Sequence, residues 1–316
     1  MNKVLNYIFC ITILISCKKD KLPLGGLSGS NYTSVTFFCD TLPEEPPIGW
    51  IDTSTNNNPK IQFWAYNPSN SSEIVILDYG GNLYTYNLMT KDKIVLDNGI
   101  MFIPSINSSN WVTYGKLDFT IHKIKTNGDS LKQLVSSIGG KQPKWDYTGN
   151  YIYYYQPGAG SIPSSVMKID KEGTKVDSVL SNGSYQCFAK TSDNYVTVIG
   201  SGLYLINPVT SEQTYLTQSI SFHDFMCFDK DDKNIVWRNP FGVIKLDLAT
   251  KKIDTLLSFC ENYTASWLNI SPNSDKLTMG YLQSKQVGSW YKLSKDLDPI
   301  EYDLKTKVWR KLIVKP

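Results

Sequence analysis

Two histidines, His122 and His223, set a limit on the catalytic chemistry that this chain can perform. A Ser-His-Asp site could use only one of them, and the sequence contains no G-x-S-x-G nucleophile elbow. The H-E-x-x-H motif, the phosphate-binding loop and the dinucleotide fingerprint are also absent. No Cys/His spacing typical of zinc sites occurs either. We therefore expect no cofactor and no metal.

Carboxylates offer two further kinds of chemistry. Asp229-Lys230-Asp231-Asp232 places carboxylates at alternate positions, as a calcium loop does, but the loop glycine and the distal glutamate of an EF-hand are missing, which favours a polar turn. Asp118, Asp224 and Glu261 are distant in sequence but could converge in the fold as a carboxylate pair for glycoside cleavage. No local motif supports that arrangement.

A polar turn followed by a short apolar strand recurs six times, and this repeat determines the fold. The apolar segments begin at Ile74, Trp111, Tyr151, Tyr195, Ile235 and Leu277, with spacings of 37, 40, 44, 40 and 42 residues. A short apolar segment, such as Met226-Cys227-Phe228, precedes each turn, and alternating segments, such as Val243-Ile244-Lys245-Leu246-Asp247, follow. Four strands in a unit of about 40 to 45 residues are typical of a β-propeller blade.

Two of the polar turns resemble a known family. Trp145-Asp146-Tyr147-Thr148-Gly149 and Ser271-Pro272-Asn273-Ser274 are similar to the W-S-P-D-G repeat of TolB-like propellers. The resemblance implies an all-β, six-bladed β-propeller of TolB-like or WD type, with four-stranded antiparallel blades. An alternative of seven blades stays open, because residues 33–60 contain two further strand-like segments.

The topology of a propeller predicts a binding surface at one end of the central channel. The loops that enter the inner strands and the loops that join the second and third strands meet there, and aromatic rings on them could stack on sugars or peptide side chains. His223 is notable because the neighbouring Asp224 could orient its ring, although a packed loop histidine is the simpler interpretation. The predicted ligand-binding residues are Tyr79, Tyr185, His223, Asp224, Arg238, Asn239, Phe241, Glu261, Tyr263 and Trp290.

The N-terminal residues predict export and a lipid anchor. Residues 1–16 contain one lysine and then an apolar run too short to span a bilayer, as in a signal peptide. Leu14-Ile15-Ser16-Cys17 resembles a bacterial lipobox, which implies lipidation of Cys17. Residues 17–32 form a flexible tether rich in Gly and Ser, and residues 33–316 form the propeller domain. The charged stretch Lys18-Lys19-Asp20-Lys21 resembles the segment after the lipidated Cys in exported Bacteroidota lipoproteins. This resemblance implies an outer-membrane anchor, on the periplasmic or the surface leaflet.

Four cysteines would remain besides Cys17 after removal of the signal: Cys39, Cys187, Cys227 and Cys260. An exported protein could join some of them in disulfides, and that possibility stays open. Cys187 and Cys227 occupy matching positions in neighbouring repeats, each just before a Phe. We predict that these two thiols are small buried hydrophobic groups.

Charge and composition exclude some classes of binding partner. The 32 Lys and Arg residues against 29 Asp and Glu give a net charge of +3, without a basic block that could follow a nucleic-acid backbone. We predict a monomeric, membrane-anchored binding module for a protein or a glycan, with no nucleic-acid partner. The alternatives are a carboxylate-dependent lyase or glycosidase at the channel mouth, and a scaffold in an envelope complex that binds no small ligand.

Overall fold

The computed structural model describes residues 61–136, 140–158, 164–181, 185–199, 201–218, 225–239, 242–259, 263–287, 290–293 and 298–311. In these ranges the regular elements are all β-strands, and no apolar helix long enough to cross a bilayer is found. The strands form six sheets, each with a path of four strands. The predicted six-bladed antiparallel propeller is therefore confirmed. Residues 1–60, with Cys17 and the segments considered for a seventh blade, lie outside the described residues.

The first three blades follow one another along the chain, and each blade contains four consecutive strands. Blade 1 contains β1 (Ile61–Asn67), β2 (Asn70–Asp78), β3 (Leu83–Asn87) and β4 (Lys93–Asp97). Blade 2 contains β5 (Ile100–Ile106), β6 (Trp111–Lys116), β7 (Ile121–Lys125) and β8 (Lys132–Val135). Blade 3 contains β9 (Lys141–Trp145), β10 (Tyr151–Gln156), β11 (Ser165–Asp170) and β12 (Val176–Ser181).

The last three blades repeat this order, with one addition in blade 6. Blade 4 contains β13 (Tyr185–Phe188), β14 (Tyr195–Ile199), β15 (Gly202–Asn207) and β16 (Glu212–Gln218). Blade 5 contains β17 (Met226–Phe228), β18 (Asn234–Asn239), β19 (Gly242–Asp247) and β20 (Ile253–Ser258). Blade 6 contains β21 (Tyr263–Ile270), β22 (Lys276–Val287), β23 (Trp290–Leu293), β24 (Asp298–Asp303) and β25 (Trp309–Lys311).

Blade 6 contains one strand more than the other blades, between its second strand and its third. Strand β22 continues to Val287 and pairs with β23, so that Val287 lies opposite Trp290 and Ser284 opposite Leu293. The physical reason is local. Two residues of the type Gly-Ser separate two short runs rich in β-forming side chains, and such a pair suits a hairpin turn.

The hydrophobic core lies between neighbouring blades. One cluster joins Cys187 and Val196 of blade 4 to Phe228 and Trp237 of blade 5. Another joins blade 2 to blade 3 through residues such as Ile121 and Ile152. Because each blade buries its two faces against its neighbours, the strands carry more apolar residues than a sheet with one solvated face would.

Aromatic and polar contacts close the ring between blade 1 and blade 6. The ring of Trp267 lies 5.5 Å from that of Phe63 and 6.3 Å from that of Trp64, in edge-to-face geometry. The hydroxyl of Tyr66 on β1 donates a hydrogen bond to the carboxylate of Glu301 on β24. Glu301 is fully buried, and its other oxygen lies 3.3 Å from Nζ of Lys276.

Five of the six polar turns between first and second strands begin with a side chain that accepts hydrogen bonds from its own turn, and blade 4 has Ala189 there instead. Asn107 Oδ1 accepts from the backbone N–H of Trp111 at 3.0 Å, and Asp229 Oδ1 accepts from that of Lys233 at 2.8 Å. The fourth residue of four turns has a positive φ: 62° at Asn110, 69° at Gly149, 55° at Asp232 and 59° at Ser274. At Gly149 a Cβ would lie 2.9 Å from the Asn107 amide nitrogen, so a side chain there would require Asn107 to move.

The fourth turn residue also ties neighbouring blades together. Asn110 Oδ1 of blade 2 accepts hydrogen bonds from the Asn67 and Ser69 side chains of blade 1, at 2.7 and 2.6 Å. Asp232 of blade 5 accepts from the backbone N–H of Lys190 in blade 4, at 2.6 Å. Ser274 of blade 6 accepts likewise from the backbone N–H of Lys230 in blade 5. These turns therefore link neighbouring blades at one end of the ring, and we name the set the turn belt.

In five blades the turn between the third and fourth strands begins with an Asn or Asp side chain that accepts backbone hydrogen bonds. Asn87 Oδ1 accepts hydrogen bonds from the backbone N–H groups of Met89 and Thr90, at 2.9 and 3.0 Å. Asp247 does the same for Ala249 and Thr250, at 3.0 and 2.8 Å. The side chain thus replaces backbone hydrogen bonds that a sharp reversal cannot form.

Candidate functional site

The two ends of the central channel are built differently. At the end where the inner strands begin, the loops between second and third strands also lie; we name it the loop end. At the opposite end each inner strand runs into the polar turn that leads to the second strand; we name it the turn end. The sequence analysis placed its candidate residues at the loop end, whereas the cavity that the described residues form lies at the turn end.

A cavity of about 390 Å³ lies in the channel at the turn end. Its volume is within the range of about 300 to 1,000 Å³ that small-ligand sites occupy. Apolar side chains of several blades line it, among them Phe63, Ile106, Met226 and Phe228. The channel is therefore an open, partly apolar space at this end.

One ring of equivalent residues contributes to the lining from every blade. Each member stands two positions before the first residue of the polar turn, and each lines the cavity. The ring consists of Ala65, Ser105, Lys144, Cys187, Cys227 and Asn269. Five members are small or medium-sized and uncharged, and Lys144 is the one charged member. We name this set the channel ring.

Lys144 is partly buried in the cavity. Its amine has no hydrogen bond and no ion pair with the residues that the structure describes. Burial lowers the pKa of Lys144 from 10.5 to about 8, because a charged ammonium loses solvation there. At pH 7 most molecules still carry the positive charge at this position.

The two thiols of the channel ring do not neutralise that charge. Cys187 and Cys227 are both free and buried, which confirms their prediction as small buried hydrophobic groups. Burial raises the pKa of Cys227 to about 11 and raises that of Cys187 well above its ordinary value. Both thiols are therefore protonated at neutral pH, and they are poor nucleophiles.

The other charged groups of the lining add to the positive character of this end. Lys190 and Lys230 line the cavity from blades 4 and 5. Asp146 also lines it, but its carboxylate accepts hydrogen bonds from the Thr148 hydroxyl and from the backbone N–H of Tyr151, at 2.9 Å for the latter. The Asp146 carboxylate thus stabilises its own turn and does not pair with Lys144.

Three of the predicted ligand-binding residues at the loop end have described side chains. Tyr79 follows β2 and is half exposed. Arg238 donates a hydrogen bond through Nη1 to the backbone oxygen of Ala265, so it joins blade 5 to blade 6. Asn239 is buried, with 4% of its surface exposed. Among these three, Tyr79 is the residue that a ligand could reach directly.

The remaining predicted residues are described only in part or not at all. Tyr185, Tyr263 and Trp290 are the first residues of β13, β21 and β23, so the topology places their backbone at the loop end. His223, Asp224, Phe241 and Glu261 lie outside the described residues. The loop-end surface therefore stays a prediction.

The groups considered for other chemistry have structural roles where they are described. Asp229 and Asp232 both bind backbone N–H groups of the turn belt, which agrees with a turn rather than a calcium loop. His122 stacks on Tyr114 with ring centres 5.7 Å apart, and its Nε2 lies 2.8 Å from the Thr120 hydroxyl. In the described part of the chain, no group of three or more His, Cys, Asp or Glu side chains could hold a metal ion.

Sequence reasoning missed the channel ring, although a signal for it was present. Aligning the six inner segments two residues before each turn would have placed Lys144 at a position where the other blades have Ala, Ser, Cys, Cys and Asn. A long cation at a position of small residues extends further toward the channel than its equivalents can.

The fold is shared with solved propellers of very different sequence. A TolB protein from Agrobacterium tumefaciens is 11% identical, with a TM-score of 0.59 over 73% of this chain and 88% of that chain. The β-propeller domain of Cps50 (Swd1) from Myceliophteria thermophila is 9% identical, with a TM-score of 0.57 over 84% and 90%. An oligogalacturonate lyase from Vibrio parahaemolyticus is 13% identical, with a TM-score of 0.51 over 74% and 77%.

No family model matches the sequence, and no curated protein matches it. At identities this low the likeness shows the fold alone. The chain is thus a TolB-like, WD-like β-propeller by structure, and its ligand must be argued from its own residues.

Proposed function

We propose that the protein is a lipid-anchored binding module of the cell envelope, which binds a protein partner or a glycan around the channel of its propeller. The observation that carries the proposal is the channel cavity at the turn end, with its mixed apolar and cationic lining. A concave site with an apolar body and a few polar groups is the usual form of a ligand site.

The chemistry of the lining favours binding over catalysis. The thiols are protonated, Asp146 is engaged in its turn, and Lys144 is a cation with no acid or base beside it among the described residues. General acid–base chemistry needs a proton donor or acceptor in contact with the reacting group, with a second group to complement it. A cation in an apolar cavity instead selects a ligand by charge.

The anchor rests on the N-terminal sequence. The lipobox-like Leu14-Ile15-Ser16-Cys17 supports lipidation, and the Gly- and Ser-rich residues that follow support a flexible connection to the membrane. A ring held on such a tether can meet partners at either end of its channel.

The test of the anchor compares the full-length wild type with Cys17→Ser in the native cell. We expect wild-type protein in the membrane fraction, with a mass that includes acyl chains, and Cys17→Ser in the soluble fraction. Cys10→Ser is a matched control, because this residue lies within the predicted signal and its loss should leave the anchor intact. Membrane-bound Cys17→Ser with an unacylated wild type would refute the anchor.

The test of binding uses cross-linking on intact cells followed by mass spectrometry, and thermal melting of the purified protein with oligosaccharides from the envelope. A ligand that binds only the native state raises the melting temperature. Tyr79→Ala, Tyr263→Ala and Trp290→Ala test whether binding uses the loop end. A protein that cross-links to nothing and melts at the same temperature with every glycan would contradict the binding-module proposal.

A further inference from the structure

Lys144 is the starting point, because no carboxylate of the described residues pairs with its amine in the cavity. The titratable or charged groups that line the same space are Cys187, Cys227, Lys190, Lys230, Asp146, Tyr66 and Tyr147. Two of these are protonated thiols, two are cations, and Asp146 is held in its turn. The hydroxyl of Tyr66 donates to Glu301. A partly buried cation without a paired anion loses solvation that nothing replaces, and a ligand can supply the missing charge.

We propose that the turn-end cavity binds a small carboxylate with an apolar body, whose carboxyl group pairs with Nζ of Lys144. The inference rests on the proposed function in taking the channel cavity as a ligand site, and it goes beyond it by adding a small acid to the protein or glycan named there. The carboxylate supplies the anion that Lys144 lacks. The apolar body lies among the side chains that surround the channel ring.

The apolar residues of the lining are the reason to expect an apolar body in the ligand. Phe63, Ala65 and Met226 present carbon atoms or sulfur to the cavity, and the thiols of Cys187 and Cys227 are buried and uncharged. Hydroxyl groups of a ligand that face these residues would have no hydrogen-bond partner. A short aliphatic or aromatic acid would instead bury apolar surface and use a single charged contact.

The other cations of the lining also favour an anionic ligand over a cationic one. Lys190 and Lys230 line the same cavity, so three cations act on whatever enters. Asp229 and Asp232 attract Lys190 and offset part of its charge, which leaves Lys144 as the main unpaired cation. An anionic ligand is drawn in, whereas a cation meets repulsion.

The proposal implies that ligand binding takes up a proton above neutral pH. Without ligand the pKa of Lys144 is about 8, so at pH 8 about half of the molecules are unprotonated. A carboxylate beside the amine favours the ammonium and raises this pKa. Binding at pH 8 should therefore take up about half a proton, while binding at pH 6.5 should take up almost none.

The experiment is calorimetric titration of the full-length protein in detergent, with benzoate and hexanoate as probes and with benzamide and hexanol as uncharged counterparts. Titrations in buffers of different ionisation enthalpy at pH 6.5 and 8 measure the protons taken up. We expect the acids to bind at least about 10-fold more tightly than their uncharged counterparts, as a hydrogen bond to a charged group implies. Glucuronate, a polar acid, should bind more weakly than benzoate.

Three variants separate a specific contact from a general effect of charge. Lys144→Met keeps the length of the side chain but removes the charge, and should weaken binding of the acids by about 10- to 100-fold. Lys144→Arg keeps a cation that does not titrate, and should bind the acids without proton uptake at pH 8. Lys305→Met, on an exposed turn, is the matched control and should leave binding unchanged.

Several outcomes would overturn the inference. The inference is wrong if neither acid binds, or if an acid binds no more tightly than its uncharged counterpart. It is also wrong if folded Lys144→Met binds the acids as tightly as the wild type does, or if glucuronate binds more tightly than benzoate. If Lys144→Met does not fold, the absence of proton uptake by the wild type at pH 8 would be sufficient. If the acids do not bind but a partner is cross-linked on cells, this inference is wrong and the proposed function still stands. If the acids bind but neither the anchor nor a partner is found, only the proposed function is refuted.

Discussion

Replacing Tyr66 by Phe should loosen the ring where its first and last blades meet. The Tyr66 hydroxyl on β1 donates to the carboxylate of Glu301 on β24, across the closure between blade 1 and blade 6. Glu301 is fully buried, with Nζ of Lys276 at 3.3 Å from its second oxygen. Tyr66→Phe keeps the ring but takes one donor away from a buried carboxylate, which cannot recover it from water.

The expected loss of stability in Tyr66→Phe follows from the burial of the Glu301 carboxylate. A hydrogen bond to a charged group contributes about 1.5 to 3 kcal/mol, and its loss from a buried acceptor is not compensated. For a domain of this size 1 kcal/mol corresponds to about 2 °C in melting temperature, so Tyr66→Phe should melt about 3 to 6 °C below the wild type. The aromatic contacts at the closure should persist, since the ring remains.

The assay is thermal unfolding by calorimetry, with Tyr84→Phe as the matched control. The Tyr84 hydroxyl is buried and has no hydrogen-bond partner among the described residues, so its removal should cost nothing. A second comparison places Tyr66→Phe in a Glu301→Gln background, where its cost should be smaller because the acceptor is no longer charged. Equal melting of Tyr66→Phe and Tyr84→Phe, or equal costs in the two backgrounds, would refute the reasoning.

Three more predictions address the turns and one close contact. Asp232→Ala should lower the melting temperature, because its carboxylate accepts backbone N–H groups of blade 4, while calcium or EDTA should leave wild-type melting unchanged. Backbone hydrogen bonds in its own turn lower the pKa of Asp247, so their stabilisation is present above the unfolded pKa and is lost as the pH falls through the folded one. In urea unfolding, Asp247→Asn should therefore be less stable than wild type at pH 7 and equal to it in acid. Gly242→Ala should cost at least about 1 to 3 kcal/mol in the same assay, because its Cβ would lie 2.1 Å from the backbone oxygen of Leu257.

The repeat made the fold predictable from sequence. Alternating strands, a period of about 40 residues and Asx turns all point to the same blade, and each signal is local. The hairpin of β22 and β23 was missed because it departs from the repeat, and its only signal is a two-residue turn between short runs of β-forming residues. A segment that occurs in one blade alone cannot be recognised by comparison with the other blades.

The site was less predictable, for a reason that lies in the geometry of the ring. Arg238 is a predicted ligand-binding residue, and its guanidinium donates to a backbone oxygen of the next blade, a contact that its sequence position does not reveal. Sequence position can assign a residue to an end of the channel, but which blade its side chain contacts depends on the angle between blades. That angle is set by packing between all six blades, and no single segment encodes it.

Lys144 shows how a repeat protein can acquire a binding site without disturbing its fold. Blade 3 keeps the alternation, the turn acceptor and the residue of positive φ in Trp145, Asp146 and Gly149. The residue at the channel-ring position varies between blades, and at blade 3 it lines the cavity as a lysine. The ammonium of Lys144 loses solvation free energy in the channel but breaks no contact between blades. A ligand of opposite charge offsets that loss when it binds. In this propeller the residue that departs most from its equivalents is therefore the one to test first for function.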